Sequence, residues 1–416
     1  MHHNCSKMKI GIYIPSNIKS SDGGSFGYYH QLLKELFSRE TEHQFVLLCG
    51  KDNSDFLKEN NIIGKNIPIL NISARSDRIL FLLKFLKRLF RLFFLKQIEN
   101  YFFNKMTYHY TKKLRREGIE FIYYLALEEY LTLDIPFLTN VWDLGHRNVN
   151  YFPEVSSFGE FEKREKRYNK VLLRATFISS ESETGKKDIE FYFRIKPEKI
   201  IVMPLFPGNV INITVVQEEQ NNWLIEKGLI SKTFLFYPAQ FWAHKNHINL
   251  LKAIRLLKEQ YKIEVSLVLT GSDKGNLFYV KNKISEYNLQ KQVHYLGFIS
   301  EKEIRILYEN AAALIMPTFL GPTTMPVLES LAIGCPIICS DFEGHREQLL
   351  DSALYFSPND PNEMAEKIEK LFNTNGLIEE LKIKSKNIRK NSLKNSVDIL
   401  LKAFYDFQSI RDCWDL

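Results

Sequence analysis

The stretch TFLGPTTMPVLESLAIGCPIICSD, residues 318–341, decides how the chain is read, because a loop, a short helix and a buried strand follow one another within it. Val327, Leu328, Leu331, Ala332 and Ile333 recur at helical spacing, and Gly334 ends the helix where a positive φ costs little. The front of that helix is unusually bare. Thr323 or Thr324 is placed to cap it, Pro326 is tolerated in a first turn whose N–H would lack an intrahelical partner anyway, and Gly321 removes side-chain bulk nearby. A helix start left open in this way is a seat for an anion. Taken alone, the pattern equally fits an ordinary capped core helix, and the lone carboxylate of Glu329 does not separate the two.

At 416 residues, 45% hydrophobic and 25% charged, the chain is too long for one core and has ordinary globular composition, so two domains are expected. Five cysteines, at 5, 49, 335, 339 and 413, form neither a disulfide framework nor a zinc pattern, which points to a reducing, cytoplasmic setting. No cleavable signal peptide is visible in the polar first nine residues.

The net charge of +7 is modest but concentrated. Residues 78–96 read RILFLLKFLKRLFRLFFLK, with Lys84, Lys87, Arg88 and Arg91 among leucines and phenylalanines and no acid between Asp77 and Glu99. Helical spacing places those four cations on one stripe beside a broad apolar face. That is the pattern of a helix lying on an anionic membrane surface, and it carries too many charges to span a bilayer comfortably. A core-packed helix with a solvated basic face is the alternative. No nucleic-acid-binding module accompanies the stripe.

The rest of the chain alternates strand and helix twice over. KIGIYIPS, the glycine-bearing loop SDGGSFG and the helix YYHQLLKEL open the first run, which HQFVLLC, EFIYYLAL, PFLTNVWD, ATFISS and KIIVMP continue. KTFLFYPAQ restarts the pattern, and EVSLVLTG, VHYLGF, AALIMPT and PIICS follow with helices between them. The expected architecture is α/β, two Rossmann-like doubly wound domains facing across a cleft. The first covers residues 8–205 with the basic helix at 78–98, the second covers 222–390, and a helix within 391–416 packs back on the first. The joint falls between 204 and 222, where MPLFPG breaks structure.

Such sheets bind ligands beyond the carboxyl ends of their strands. The loops there carry Gly23 and Gly24, then Asp143 with His146 and Arg147, then Lys245, then the bare helix start. A lysine and a helix start aimed at one cleft suit a diphosphate. Each residue alone also fits a structural role; His146, for example, fits a loop hydrogen bond as well as it fits catalysis.

The second half resembles the retaining, nucleotide-sugar-dependent glycosyltransferases of family 4, of GT-B fold. MPVLESLAIGCPIICSDFEGHRE carries the most specific similarity, with YPAQFWAHKNHINLLKAI and VHYLGFISEKEIRILYENAAALIMPT beside it; SDGGSFGYYHQLLKEL and NVWDLGHRNVNYFPE correspond less tightly. The resemblance implies that Glu329 bonds the ribose hydroxyls of the donor, and that Lys245, Thr323 and Thr324 meet its diphosphate. Gly23, Gly24, Gln240, Gly271 and Gly321 would line the same donor site. Asp143, His146, Lys245 and Glu329 would carry the catalysis.

Three positions depart from the family pattern. The first of its paired glutamates falls on Gly321, its arginine five residues before the lysine falls on Gln240, and its histidine of a His-Asp pair falls on Trp142. No Asp-x-Asp occurs, so neither a metal nor another cofactor is expected, the nucleotide sugar (UDP- or GDP-linked) being a co-substrate. With a membrane-surface helix, the expected acceptor is a glycan or lipid-linked sugar and the product a surface polysaccharide. A sugar-nucleotide epimerase of the same fold and a non-catalytic membrane-surface scaffold stay as alternatives.

Overall fold

The computed structural model describes residues 7–15, 24–50, 53, 57, 67–72, 105, 107–127, 131–388 and 392–414. Gly23 and the basic segment 78–98, with Lys84, Lys87, Arg88 and Arg91, lie outside the described residues.

Short apolar runs build two parallel sheets. The first contains β1 (Lys9–Tyr13), β2 (Gln44–Cys49), β3 (Ile69–Asn71), β4 (Phe121–Tyr124), β5 (Phe137–Val141), β6 (Phe177–Ser180) and β7 (Ile200–Val202), in the order β3-β2-β1-β4-β5-β6-β7. The second contains β8 (Phe234–Pro238), β9 (Ser266–Thr270), β10 (Val293–Gly297), β11 (Ala313–Met316), β12 (Ile337–Ser340) and β13 (Ala353–Phe356), in the order β10-β9-β8-β11-β12-β13. Every described strand pair is parallel, and β4, β5, β11 and β12 are buried along their whole length, as expected of strands covered on both faces. Two of these strands, β3 and β13, are absent from the sequence reading. Both are edge strands, of three and four residues, too short for a period-2 pattern to declare itself.

The helices that matter for the cleft are α1 (Gly24–Ser38), α2 (Glu160–Leu172), α3 (Glu183–Phe193), α4 (His247–Leu256), α5 (Glu301–Asn310), α6 (Met325–Ile333), α7 (Glu343–Leu349) and α8 (Leu393–Arg411). Strand order reverses at β1/β4 in the first sheet and at β8/β11 in the second, so each sheet has its ligand-binding crevice at that switch point.

The chain passes between domains twice. It leaves the first in residues 203–216 and returns after 388, where α8 lays Val397, Leu400, Phe404 and Phe407 into the core built on α1 and the strands. The Phe404 ring lies 6.0 Å from Phe121 and 6.2 Å from Phe45, and Phe407 lies 4.6 Å from Phe121. Ser396 Oγ donates to the Pro204 carbonyl at 2.6 Å, joining the two crossings. Phe404→Ala would leave a cavity in this core and should destabilise the protein by roughly 3–5 kcal/mol, measurable as a lower denaturation midpoint.

Candidate active site

The helix that opened the sequence reading is α6. Thr324 stands at its N-cap with extended backbone (φ −139°, ψ 125°), and Gly334 closes it at φ 86°. The expected side-chain cap is not made. Thr323 Oγ1 instead donates to a carboxylate oxygen of Glu181, and Thr324 Oγ1 lies 3.3 Å from His345 Nε2. Tertiary partners have taken both hydroxyls. His345 Nδ1 is 2.8 Å from the Ser340 carbonyl, which fixes Nδ1 as the donor and leaves Nε2 to accept from Thr324. Burial holds that imidazole neutral, down at about 4. The Thr324 N–H bonds Gln348 Oε1 at 3.3 Å and Pro326 has no N–H, so with the hydroxyls committed the first turn retains the amides of Met325 and Val327, which have no intrahelical acceptor.

Gly321 precedes this turn at φ 132°, a conformation L side chains rarely adopt, and a Cβ there would sit 3.1 Å from the Thr323 carbonyl. Gly24, the first residue of α1, faces the same turn from the other domain: a Cβ on it would lie 3.8 Å from Met325 Sδ. Two helix starts therefore oppose each other across the cleft.

Lys245 ends a turn of 3-10 helix (Ala243–Lys245) after β8. Its carbonyl accepts from Tyr237 Oη at 2.7 Å, and the following Asn246, at φ 60°, bonds the carbonyls of Pro317 and Pro358 at 2.9 and 2.8 Å. The loop is thus pinned to the end of β11. The ammonium is half-buried and has no hydrogen-bond or ion-pair partner among the described residues. Burial pulls it down to about 8, opposed by the charges of Asp143 and Glu154 from the first domain. Its own charge depresses His345, so the ammonium and the start of α6 act on one another through that ring.

Glu329 projects from the second turn of α6. Tyr308 of α5 donates to its Oε2 at 2.8 Å, and the backbone N–H of Gly208, in the first interdomain crossing, bonds the same carboxylate. Burial raises it to about 7. Gly208 approaches so closely that a Cβ on it would stand 2.2 Å from Glu329 Oε1.

Asp143 follows β5, accepts from Gly145 N at 2.7 Å and lies 3.7 Å from Arg164 of α2. Its charge acts on Lys245, Glu181, His244 and His146. His146 does not join it. That ring is fully buried, with Nε2 2.9 Å from Glu165 and a face against Tyr168 at 4.9 Å, behind the loop. Trp142 packs edge-on to Tyr28 at 4.6 Å. Gln240 accepts from its neighbour Trp242 at 3.0 Å, and Gly271 donates to the Gly297 carbonyl at 2.8 Å and lies hard against Ala239, so both shape the floor of the second domain.

Residues that the sequence reading missed join the two walls. Glu154 Oε1 accepts from the backbone N of His244 at 2.9 Å and lies 2.5 Å from its Nδ1. Glu347 of α7 spans the N-terminus of α3, taking the N–H groups of Glu183 and Thr184 at 2.8 Å each and the Thr184 hydroxyl at 2.7 Å. Glu181 directly follows β6, in SSESE. The same strand-end rule that singled out Lys245 would have flagged it.

Residues 221–393 match the family model described as glycosyl transferases group 1. The chain is similar to O-antigen chain mannosyltransferase B of Escherichia coli, 23% identical over 217 residues, which is 50% of this chain and 54% of that protein. It is also similar to O-antigen chain mannosyltransferase RfbU of Salmonella typhimurium, 25% identical over 45% of this chain and 49% of that protein. The matches thus span about half the length of these relatives. In fold the whole chain is similar to Anabaena Alr3699/HepE, solved in complex with UDP and glucose, with a TM-score of 0.68, 13% identity and coverage of 96% of this chain and 100% of that one. The architecture is that of the GT-B glycosyltransferases.

Removing the Glu347 carboxylate would leave the N–H groups of Glu183 and Thr184 without their acceptor, at a cost of about 1 kcal/mol, while the Ser182 cap on Gly185 N stays in place. Glu347→Ala should accordingly shift the protein toward more open forms, seen as a larger radius of gyration by small-angle scattering.

Proposed function

We propose that the protein is a glycosyltransferase that moves a sugar from a nucleoside-diphosphate donor, UDP- or GDP-linked, to a glycan or lipid-linked acceptor in the synthesis of a surface polysaccharide. The observation that carries this reading is an ammonium, Lys245, with no hydrogen-bond or ion-pair partner among the described residues, whose charge acts on the His345 ring that holds Thr324 at the start of α6, with Glu329 in that helix's second turn. The diphosphate meets the ammonium and the amides, whose positive ends complement it. Glu329, oriented by Tyr308 and Gly208, accepts from the ribose hydroxyls. The similarity to O-antigen mannosyltransferases supports the polysaccharide assignment.

As the bond to the sugar breaks, negative charge grows on the departing phosphate. Lys245 and the oriented amides are already in place to stabilise it, with no reorganisation at the moment of reaction. Asp143 faces the sugar from the opposite wall, where a fixed carboxylate stabilises the positive charge that develops on the ring. The acceptor hydroxyl enters on the face that the nucleotide leaves, so configuration is retained and no enzymic nucleophile is required. Closure of the cleft excludes water, which would otherwise compete as acceptor. The nucleotide sugar is a co-substrate, and no resident metal or cofactor takes part. Among the described residues no helix is long and apolar enough to cross a membrane. The protein works at the cytoplasmic face, held there by the Lys84, Lys87, Arg88 and Arg91 stripe. Reversing those four charges should abolish binding to anionic liposomes; unchanged binding would remove the membrane part of the proposal.

Calorimetry with UDP and GDP tests the donor site. Lys245 is cationic below its value of about 8 and neutral above it, so affinity for the preferred diphosphate should fall as pH rises through that region. Lys245→Arg should push the decline to higher pH, because guanidinium does not lose its proton there. Glu329→Ala should weaken binding on the order of 1.5–3 kcal/mol, the cost of charge-assisted hydrogen bonds. Gly208→Ala should reproduce much of that loss with little change in stability, since the atoms nearest the added methyl are the ends of two side chains, Glu329 and Met325. Absence of heat with either nucleotide would overturn the proposal.

A further inference from the structure

Among the described residues, Glu181 is the carboxyl of the first domain that bonds the start of α6. It leaves the carboxyl end of β6, and its Oε2 accepts from Thr323 Oγ1, 142 residues away in sequence. The charged or titratable groups acting on it come from the elements packed around it: Asp143 from the loop after β5 and Tyr28 from α1. No lysine or arginine pairs with it among the described residues, and its Oε1 carries no hydrogen bond. A cation-free carboxyl beside a diphosphate seat suits neither the phosphates nor a metal-free salt link. Its natural partners are hydroxyl groups, which it can both accept from and, when protonated, donate to.

The opposite wall leaves room for that role. Gly321 has no side chain and its φ forbids one, while the Thr323 and Thr324 hydroxyls are already engaged. The part of a donor that extends from the diphosphate toward Asp143 is the sugar ring. We propose that Glu181 is a specificity-determining residue that hydrogen-bonds a hydroxyl of the transferred sugar, and that it does so only while the two domains are closed on each other. Burial supports this assignment: with Asp143 adding in the same direction and the Thr323 bond opposing, it pushes the carboxyl up to about 8, so that it carries a proton at neutral pH and does not repel the diphosphate. The inference rests on the donor site proposed above, and its test separates the two.

Glu181→Ala and Glu181→Gln are compared with the unaltered protein in three measurements: calorimetry with UDP and GDP, steady-state kinetics with whichever of UDP-glucose and GDP-mannose turns over, and competition from deoxy-sugar analogues of that donor. The nucleoside diphosphate alone should bind both variants as it binds the unaltered protein. In Glu181→Ala the donor KM should rise about tenfold, the loss of one well-made hydrogen bond, and discrimination against one deoxy analogue should vanish. The isosteric amide of Glu181→Gln should restore most of the donor affinity. Equal weakening of UDP or GDP itself by Glu181→Ala would assign the residue a structural role through Thr323 and overturn the inference, as would unchanged discrimination among deoxy analogues. A protein that binds neither nucleotide before substitution would overturn the donor site and this inference together.

Discussion

The constraint on which the cleft depends is a half-buried lysine, Lys245, that has no hydrogen-bonding partner among the described residues. Desolvation of an ammonium is costly, and the usual outcome is either an ion pair or loss of the proton. Lys245 does neither fully. Asp143 and Glu154 approach from the other domain closely enough to oppose the desolvation, yet neither forms an ion pair with it. The charge therefore survives near neutrality, and it acts on His345, the ring that holds the Thr324 hydroxyl at the start of α6. The proposed affinity for a diphosphate rests on that unpaired charge.

Around this centre, polar groups of one domain are completed by the other. Glu154 completes His244, Glu347 completes the start of α3, Glu181 completes Thr323, and the crossing at Gly208 completes Glu329. Each of these is a carboxyl group accepting from an N–H or O–H donor. Such contacts exchange readily with water, so they hold the closed arrangement by a small margin. A larger apolar seam would be harder to open. Among the described residues the apolar contacts that cross near the site are small: Phe152 lies 5.2 Å from Phe319 and 6.3 Å from His244, and Leu320 packs with Val149 and Val155.

Much of the architecture is legible in local patterns. Apolar runs of four to six residues separated by amphipathic helices reveal most strands, and proline and glycine mark the ends of α6. Lys245 was legible as a cation in a loop at the carboxyl end of a strand, whereas Glu329, inside α6, was marked by the family resemblance. The cap was not legible. The directions of the Thr323 and Thr324 hydroxyls are decided by Glu181 and His345, which are 142 and 21 residues distant. His146 shows the same limit from the other side: its loop begins at the cleft, but Glu165 and Tyr168 of α2 turn the ring inward. Gly208 could be read as a break in structure but not as the donor to Glu329, because nothing local records so close an approach. Edge strands β3 and β13 escaped for want of length.

The return of α8 to the first domain means that two separate strands of chain bridge the halves, with Ser396 and Pro204 tying them at one point. A body suspended by a single tether can swivel in any sense; one suspended by two neighbouring tethers keeps a single easy rotation, about the line that joins them. On that argument the easy movement of these halves is jaw-like, and the arrangement described here is the one in which Glu181 meets the corner of α6.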